Sequence, residues 1–338
     1  MKKVTIVEVA QKAGTSCTTV SRVLADNTKE HMREETKQRV LKAIKELRYV
    51  PNKYARFMRG KKSGIIGVLV PNISNQFFSL MIRGVESISY QNGYSIIICD
   101  AENSLEKEKK YIDILLNEKV EGVIFTSSGI ENSDVEKFTT NKIPIILADR
   151  KLKNVAFPYV GSDGFKDGYA LTRYIINLGF KKIGFVKGPF LVTTAAERFE
   201  GYKKAMVDNG LTINDDYLKE GDYTFEAGVK AGSDFASSPS KLPQVIIAAN
   251  DLMGVGIIRA IEKRGLKVPQ DVGVVGFDNI PLLSLVSPRL TTMEIPAYNI
   301  GQEATLLLLD YIRGKRKRRK IKIVDTKLIE GESCKCLK

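Results

Sequence analysis

The 338-residue chain has a single histidine, four cysteines and no apolar run of about 18 residues, the length at which a membrane span becomes plausible. Each shortage closes off a class of function. His31 falls between two predicted helices, so imidazole-based catalysis has almost nothing to work with. Cys17, Cys99, Cys334 and Cys336 are too scattered for a disulfide framework, and Cys334-x-Cys336 alone is a weak metal or redox signal. All four read as reduced thiols, and no cofactor is expected. With no apolar signal core at the start and no spanning stretch, the protein is expected in the cytoplasm and off the membrane. The first predicted strand is not followed by a Gly-x-Gly-x-x-Gly loop, and no triad or metal cluster appears, which argues against an enzyme.

What is present is positive charge, unevenly placed. The net charge is +14, and residues 1–62 carry 16 Lys and Arg against 6 Asp and Glu, leaving 37 against 33 for the rest. The excess in the first fifth of the chain points to a polyanionic partner for that segment. A composition 43% hydrophobic and 27% charged is globular, and the length suits two or three domains.

The basic segment is helical by pattern. Thr5 is a plausible N-cap for a helix from Ile6 to Ala13, and Gly14 is free to take the left-handed conformation that stops it. Ser16 then caps a second helix in which Val20, Val23 and Leu24 face inward while Cys17, Thr18, Ser21 and Arg22 face out. That outward face is small and hydrogen-bonding, and Arg22 has the fork to hold a guanine's O6 and N7. A solvated helix in a small bundle would look the same. A third helix, about Glu34 to Leu47, brings Val40, Ile44 and Leu47 to a three-helix core, its lysines and Arg39 solvated or near phosphate. Pro51 to Gly60 would be marginal as an isolated helix. Arg56, Arg59, Lys61 and Lys62 could hold phosphates, with affinity falling steeply in salt.

From Gly64 the pattern becomes strand-helix alternation. Short apolar runs at 65–70, 95–99, 122–125, 143–147 and 159–160, then 183–186, 218–223, 245–248 and 273–277, alternate with amphipathic helices. Such runs imply parallel sheets covered on both faces, and two series imply two doubly wound lobes with a cleft between them. Ligands in such folds sit beyond the carboxyl ends of strands. The residues there are Asn75, Phe77, Phe78, Asp149, Arg150, Arg198, Tyr223 (read as ending a strand), Asn250 and Asp278. Singly each has an ordinary explanation: a helix cap for Asn250, core for the two phenylalanines, a loop cap for Asp149. Jointly they are aromatic faces with two arginines balanced by two aspartates, a set suited to a neutral polyhydroxylated ligand such as a sugar. Asp163 reads as structural, and the basic run Arg313 to Lys320 as a solvated loop.

The strings Thr5-Ile-x-x-Val-Ala10, Ala13-Gly14, Thr19-Val-Ser-Arg-Val-Leu24, Thr36-x-x-Arg-Val40, Leu47-x-Tyr-x-Pro-Asn52, Ala55-Arg56 and Glu330-x-Glu-Ser333 resemble those of LacI/GalR-family transcription regulators over nearly the whole chain. The resemblance implies an all-α helix-turn-helix head (1–50), a hinge (51–63) and a periplasmic-binding-protein-like effector and dimerisation domain (64–338). The latter would have lobes near 64–162 and 163–290 and crossovers near 291–300 and 324–330. It implies a homodimer on a pseudo-palindromic double-stranded operator, released by a small sugar. Cys17, Thr18 and Arg22 would select the sequence and Thr19 and Ser21 hold phosphates, with Thr5, Ser16, Asn52, Tyr54 and Ala55 as further DNA contacts. Met58 stands where the family usually wedges a leucine into the minor groove, and an apolar, flexible side chain can do the same.

In the sensor, Asp149-Arg150, Ser162-Asp-Gly-Phe165, Thr194-Ala-x-x-Arg-Phe199 and Asn250-Asp251 look especially like ribose-operon repressors, and the nine cleft residues match a pentose pattern. Two departures matter: Glu294-Ile295 stands where a Gln is usual, and Val192 where purine-binding relatives carry arginine. The helix at Gln302 to Tyr311 lacks the basic residue on which a phosphocarrier corepressor docks, which argues against that partner. A stand-alone sugar-transport protein would have the same sensor, but the basic head and the missing signal core argue against it.

Overall fold

The computed structural model describes residues 4–24, 32–49, 62–126, 132–152, 157–237, 242–315 and 320–335. The chain divides into two compact units, Met1–Ser63 and Gly64–Lys338.

The first unit contains α1 (Ile6–Lys12), α2 (Cys17–Leu24) and α3 (Glu34–Glu46). Thr5 and Glu8 form a reciprocal capping box: the Thr5 hydroxyl accepts from the Glu8 amide at 3.4 Å, and the Glu8 carboxylate accepts from the Thr5 amide at 2.6 Å. Gly14, at φ +60°, supplies the left-handed residue that turns the chain after α1. Ser16 Oγ accepts from the Thr19 amide at 3.1 Å and starts α2. Val9, Ala10, Ala13, Val20, Val23, Val40 and Ala43 form the buried core of this unit. Lys12 ties α1 to Glu46 of α3 at 2.8 Å.

The second unit opens with β1 (Ile65–Val70), α4 (Gln76–Gln91), β2 (Ser95–Asp100), α5 (Leu105–Asn117), β3 (Gly122–Phe125), α6 (Asn132–Thr140), β4 (Ile145–Ala148) and β5 (Tyr159–Gly161). It continues with α7 (Gly164–Asn177), β6 (Ile183–Val186), α8 (Thr193–Asp208), β7 (Leu218–Lys219), α9 (Phe225–Ala236), β8 (Val245–Ala248), α10 (Asp251–Lys263), β9 (Gly273–Asp278) and β10 (Thr291–Glu294). The strands form two six-stranded sheets. The first runs β11-β5-β4-β3-β1-β2 and is parallel throughout; the second runs β12-β10-β9-β8-β6-β7, parallel except for β12. Here β11 is Ile321–Ile323 and β12 is Lys327–Ile329. After β10 the chain enters α11 (Ala297–Ile312), which packs on α4 of the first lobe, and then gives one strand to each sheet. This is an α/β architecture: a helical head and two doubly wound lobes.

Strands β3, β4, β6, β8 and β9 are buried along their full length, as sheets covered on both faces require. In each lobe the strand order reverses beside the first strand: β1 lies between β3 and β2, and β6 between β8 and β7. Helices leave on opposite faces at such a reversal, which opens a crevice at the strand ends. The strand expected over 218–223 pairs only at Leu218–Lys219. Beyond it Asp222 Oδ1 accepts from the Thr224 amide at 2.9 Å, and the resulting turn leaves Tyr223 at φ +72° instead of ending a strand.

Candidate functional site

On the head, α2 leaves Thr18 and Arg22 exposed. Cys17 is half-buried and packs on the helical core, so it faces out less than the sequence pattern implies. Ser16 and Thr19 spend hydrogen-bonding capacity on the cap, their hydroxyls 3.0 Å apart, and Thr5 spends its own on Glu8. Ser21 is half-buried. The hinge candidates Asn52, Tyr54, Ala55 and Met58 lie outside the described residues, as do residues 316–319 of the basic run.

Between the lobes, the loops after β1, β4, β6, β7, β8 and β9 converge. Asn75 caps α4, its Oδ1 accepting from the Phe77 amide at 2.9 Å. The rings of Phe77 and Phe78 meet edge to face at 5.2 Å, both buried. Asp149 leaves β4 at φ +62°, and its carbonyl accepts from the Tyr159 hydroxyl at 2.8 Å. The Arg150 guanidinium lies between two rings from opposite lobes, 5.2 Å from the centre of Phe78 and 5.4 Å from that of Tyr223.

Arg198, on α8, donates to the Ala249 carbonyl at 2.7 Å and to Asp278 Oδ1 at 3.2 Å, with its guanidinium 4.6 Å from the Phe277 ring centre. Two glycines allow this placement. A Cβ on Gly168 of α7 would stand 2.2 Å from the Arg198 carbonyl oxygen, and one on Gly188 would stand 2.5 Å from the Tyr223 ring. Asn250 caps α10, accepting from the Met253 amide at 3.0 Å while donating to the Tyr223 carbonyl at 3.0 Å. Asp278 ends β9 at φ +112°. Backbone strain of about 1–3 kcal/mol per residue persists only where the surroundings impose it, and here Asp149, Tyr223 and Asp278 all carry it.

Burial raises the pKa of Asp149, against the pull of Arg150 and Arg198. Burial likewise pushes Asp278 up to about 7, with Arg198 opposing. Asp251, wholly buried behind the site, is raised first by burial and then by the Asp278 charge. Its carboxylate accepts from Thr292 Oγ1 at 2.7 Å and from the Ile280 amide at 3.0 Å, which fastens the segment after Asp278. Burial works against the Arg198 charge, but Asp278, Tyr223 and Asp149 outweigh it, so Arg198 stays protonated.

All nine cleft residues chosen from the sequence line one inner cavity of about 20 Å³, and Thr194 joins them. Sequence reasoning missed Thr194, although it stands one helical turn before Arg198 and so shares its face. Glu294, at the position where a Gln is usual, accepts from Asn279 Nδ2 at 3.2 Å. A wider outer cavity of about 180 Å³ adjoins the first, sharing Asn75, Phe78, Arg150 and Tyr223. Among the described residues no cluster of His, Cys, Asp and Glu could hold a metal ion, and no helix is long and apolar enough to cross a membrane.

Residues 5–52 match the family of bacterial regulatory proteins of the lacI type, and residues 63–332 match the periplasmic binding proteins and sugar binding domain of the LacI family. Catabolite control protein A of Priestia megaterium is 35% identical over 310 residues, 91% of this chain and 92% of that protein. The HTH-type transcriptional repressor PurR of Photobacterium profundum is 32% identical over 334 residues, 98% of this chain and 99% of that one. Neither name is that of a ribose repressor. The lac repressor dimer bound to operator and the anti-inducer ONPF superposes with a TM-score of 0.87 at 27% identity, covering 99% of this chain and 100% of its own. A LacI family regulator from Enterococcus faecium with bound ribose superposes with a TM-score of 0.73 at 28% identity, covering 81% of this chain and 100% of its own. With a helix-turn-helix head and a two-lobed effector domain both matched, the chain belongs to the LacI family of DNA-binding transcriptional repressors and is not an enzyme.

Proposed function

We infer that the protein is a homodimeric repressor of sugar catabolism or transport genes, released from a pseudo-palindromic operator by a small neutral sugar. The observation that carries the reading is the convergence of Asp149, Arg150, Arg198, Asn250 and Asp278 on one buried cavity. Two guanidiniums and two carboxylates balance there, so a neutral ligand with paired hydroxyls leaves no charge uncompensated. An inner space of about 20 Å³ holds roughly one water, so a sugar enters by parting the lobes or moving Arg150. A ribose-like sugar is the first candidate, because the Enterococcus faecium relative holds ribose.

The head would place Thr18 and Arg22 against base edges beside Cys17, with Thr19, Ser21, Thr5 and Ser16 near phosphates. Residues 51–63 would form the segment that the sugar loosens, with Asn52, Tyr54 and Ala55 on DNA and Met58 as the wedge. A dimer gives two heads to a two-fold operator, as in the lac repressor complex. A sugar that weakens operator binding about 100-fold needs to favour the released state by only about 2.7 kcal/mol.

The test is operator binding by fluorescence anisotropy across a sugar panel, with Arg198→Ala beside the native chain. One sugar should weaken native binding, while Arg198→Ala keeps operator affinity and loses the response. Equal operator binding with and without every sugar would refute release by sugar.

A further inference from the structure

The space between the lobes is two chambers with different walls. The inner chamber holds the matched arginines and aspartates. The outer chamber has on its first-lobe side the uncharged Asn72, Ser74 and Asn103, and on its second-lobe side the carboxylates of Asp222 and Glu226. Phe225 and Leu252 add apolar faces, and Arg150, held between Phe78 and Tyr223, stands where the chambers meet. The outer chamber is the larger, about 180 Å³ against about 20 Å³. Its borders are fixed: Asn103 at φ +56° and Tyr223 at φ +72° bring one constrained residue from each lobe to its wall.

We propose that the outer chamber is a second subsite and that the effector is a glycoside, a sugar bearing an uncharged second ring on its anomeric carbon. The sugar enters the inner chamber and the substituent fills the outer one; this rests on the inner chamber being a sugar site. Side-chain amides and the Ser74 hydroxyl offer donors and acceptors to the edge of the second ring, and Phe225 and Leu252 cover its face. Asp222 and Glu226 repel a phosphate on that ring. An O-glycoside such as a disaccharide and an N-glycoside such as a nucleoside share this chemistry.

Calorimetric titration of the full chain with ribose, glucose, a set of disaccharides, uridine and uridine 5′-monophosphate separates the sources. A disaccharide or uridine should bind about tenfold more tightly than its own free sugar, a difference of about 1.4 kcal/mol. The responding arm identifies the linkage, and uridine 5′-monophosphate should bind only after Glu226→Lys. In Ser74→Trp the advantage of the glycoside over the free sugar should vanish. A free sugar that binds as tightly as every glycoside overturns the second subsite and leaves the sugar reading standing. So does an advantage that survives Ser74→Trp. Silence from every ligand overturns the sugar reading and this proposal with it.

Discussion

Lys151 and Thr193 are joined in both directions across the cleft: the Lys151 amide donates to Thr193 Oγ1 at 3.1 Å, and that hydroxyl donates to the Lys151 carbonyl at 3.0 Å. Lys151 follows Arg150 in the first lobe, and Thr193 opens α8 of the second, the helix that carries Arg198. Lys151 Nζ also reaches Glu197 Oε1 at 3.0 Å, and Gln76 of the first lobe accepts from the Leu282 amide of the second at 2.8 Å. The relative position of the lobes is therefore held by a few specific polar contacts, each open to mutation.

Thr193→Val keeps the shape and removes both bonds to Lys151. Two net hydrogen bonds at about 1 kcal/mol each put the expected loss of stability at about 1–2 kcal/mol. Urea unfolding at constant slope measures it. A midpoint indistinguishable from that of the native chain would show that the contact does not hold the lobes.

Stability should fall as pH rises from about 4 to about 7. Asp278 is pushed up to about 7 in the folded chain against an ordinary 3.8, so folding favours its protonated form. That contribution is complete below the unfolded value and is lost as pH climbs to the folded one. Asp251, Asp149 and Asp167 are raised too, so Asp278→Asn should flatten the slope without removing it. Melting temperatures at about pH 5 and about pH 8 check this, and an unchanged difference in the variant would count against it.

Gly168→Ala places a methyl group against the Arg198 carbonyl, where the contact would be 2.2 Å. Backbone cannot move aside as a side-chain tip can, so α7 and α8 must separate at a cost of about 1–3 kcal/mol. Arg198 shifts with its helix. Effector affinity should fall together with thermal stability, and full effector affinity in a destabilised variant would break the link.

Arg22→Ala should leave folding within about 0.5 kcal/mol of native, because the side chain is exposed on α2. Operator affinity should fall by about 1–3 kcal/mol with relaxed preference at one base pair. Binding to a set of single-base operator variants reads this out. A uniform loss across all variants would assign Arg22 to phosphate instead.

Much of the cleft is legible in the chain because strand ends are legible: Asn75, Asp149, Asn250 and Asp278 each follow or end a short apolar run. Their individual chemistry is less so. Asn75 and Asn250 are helix caps as well as cleft residues, and Tyr223 reaches the cavity from a turn and not from a strand. Thr194 escapes because a threonine in the first turn of a helix has no signal of its own. The outward reading of Cys17 fails because a three-helix core draws in small side chains at its margin.

Local sequence suffices for the helical head, the two strand-helix series, the residues at the strand ends and the concentration of positive charge in the head. These are properties of short segments, set by periodicity, capping and composition within a few residues of each position. Three-dimensional packing is needed to place Arg150 between Phe78 and Tyr223, to bond Lys151 to Thr193, and to divide the cleft into two chambers. Those facts join residues far apart in the chain, and their distances depend on how two separately folded sheets are packed and bridged, which no local pattern encodes.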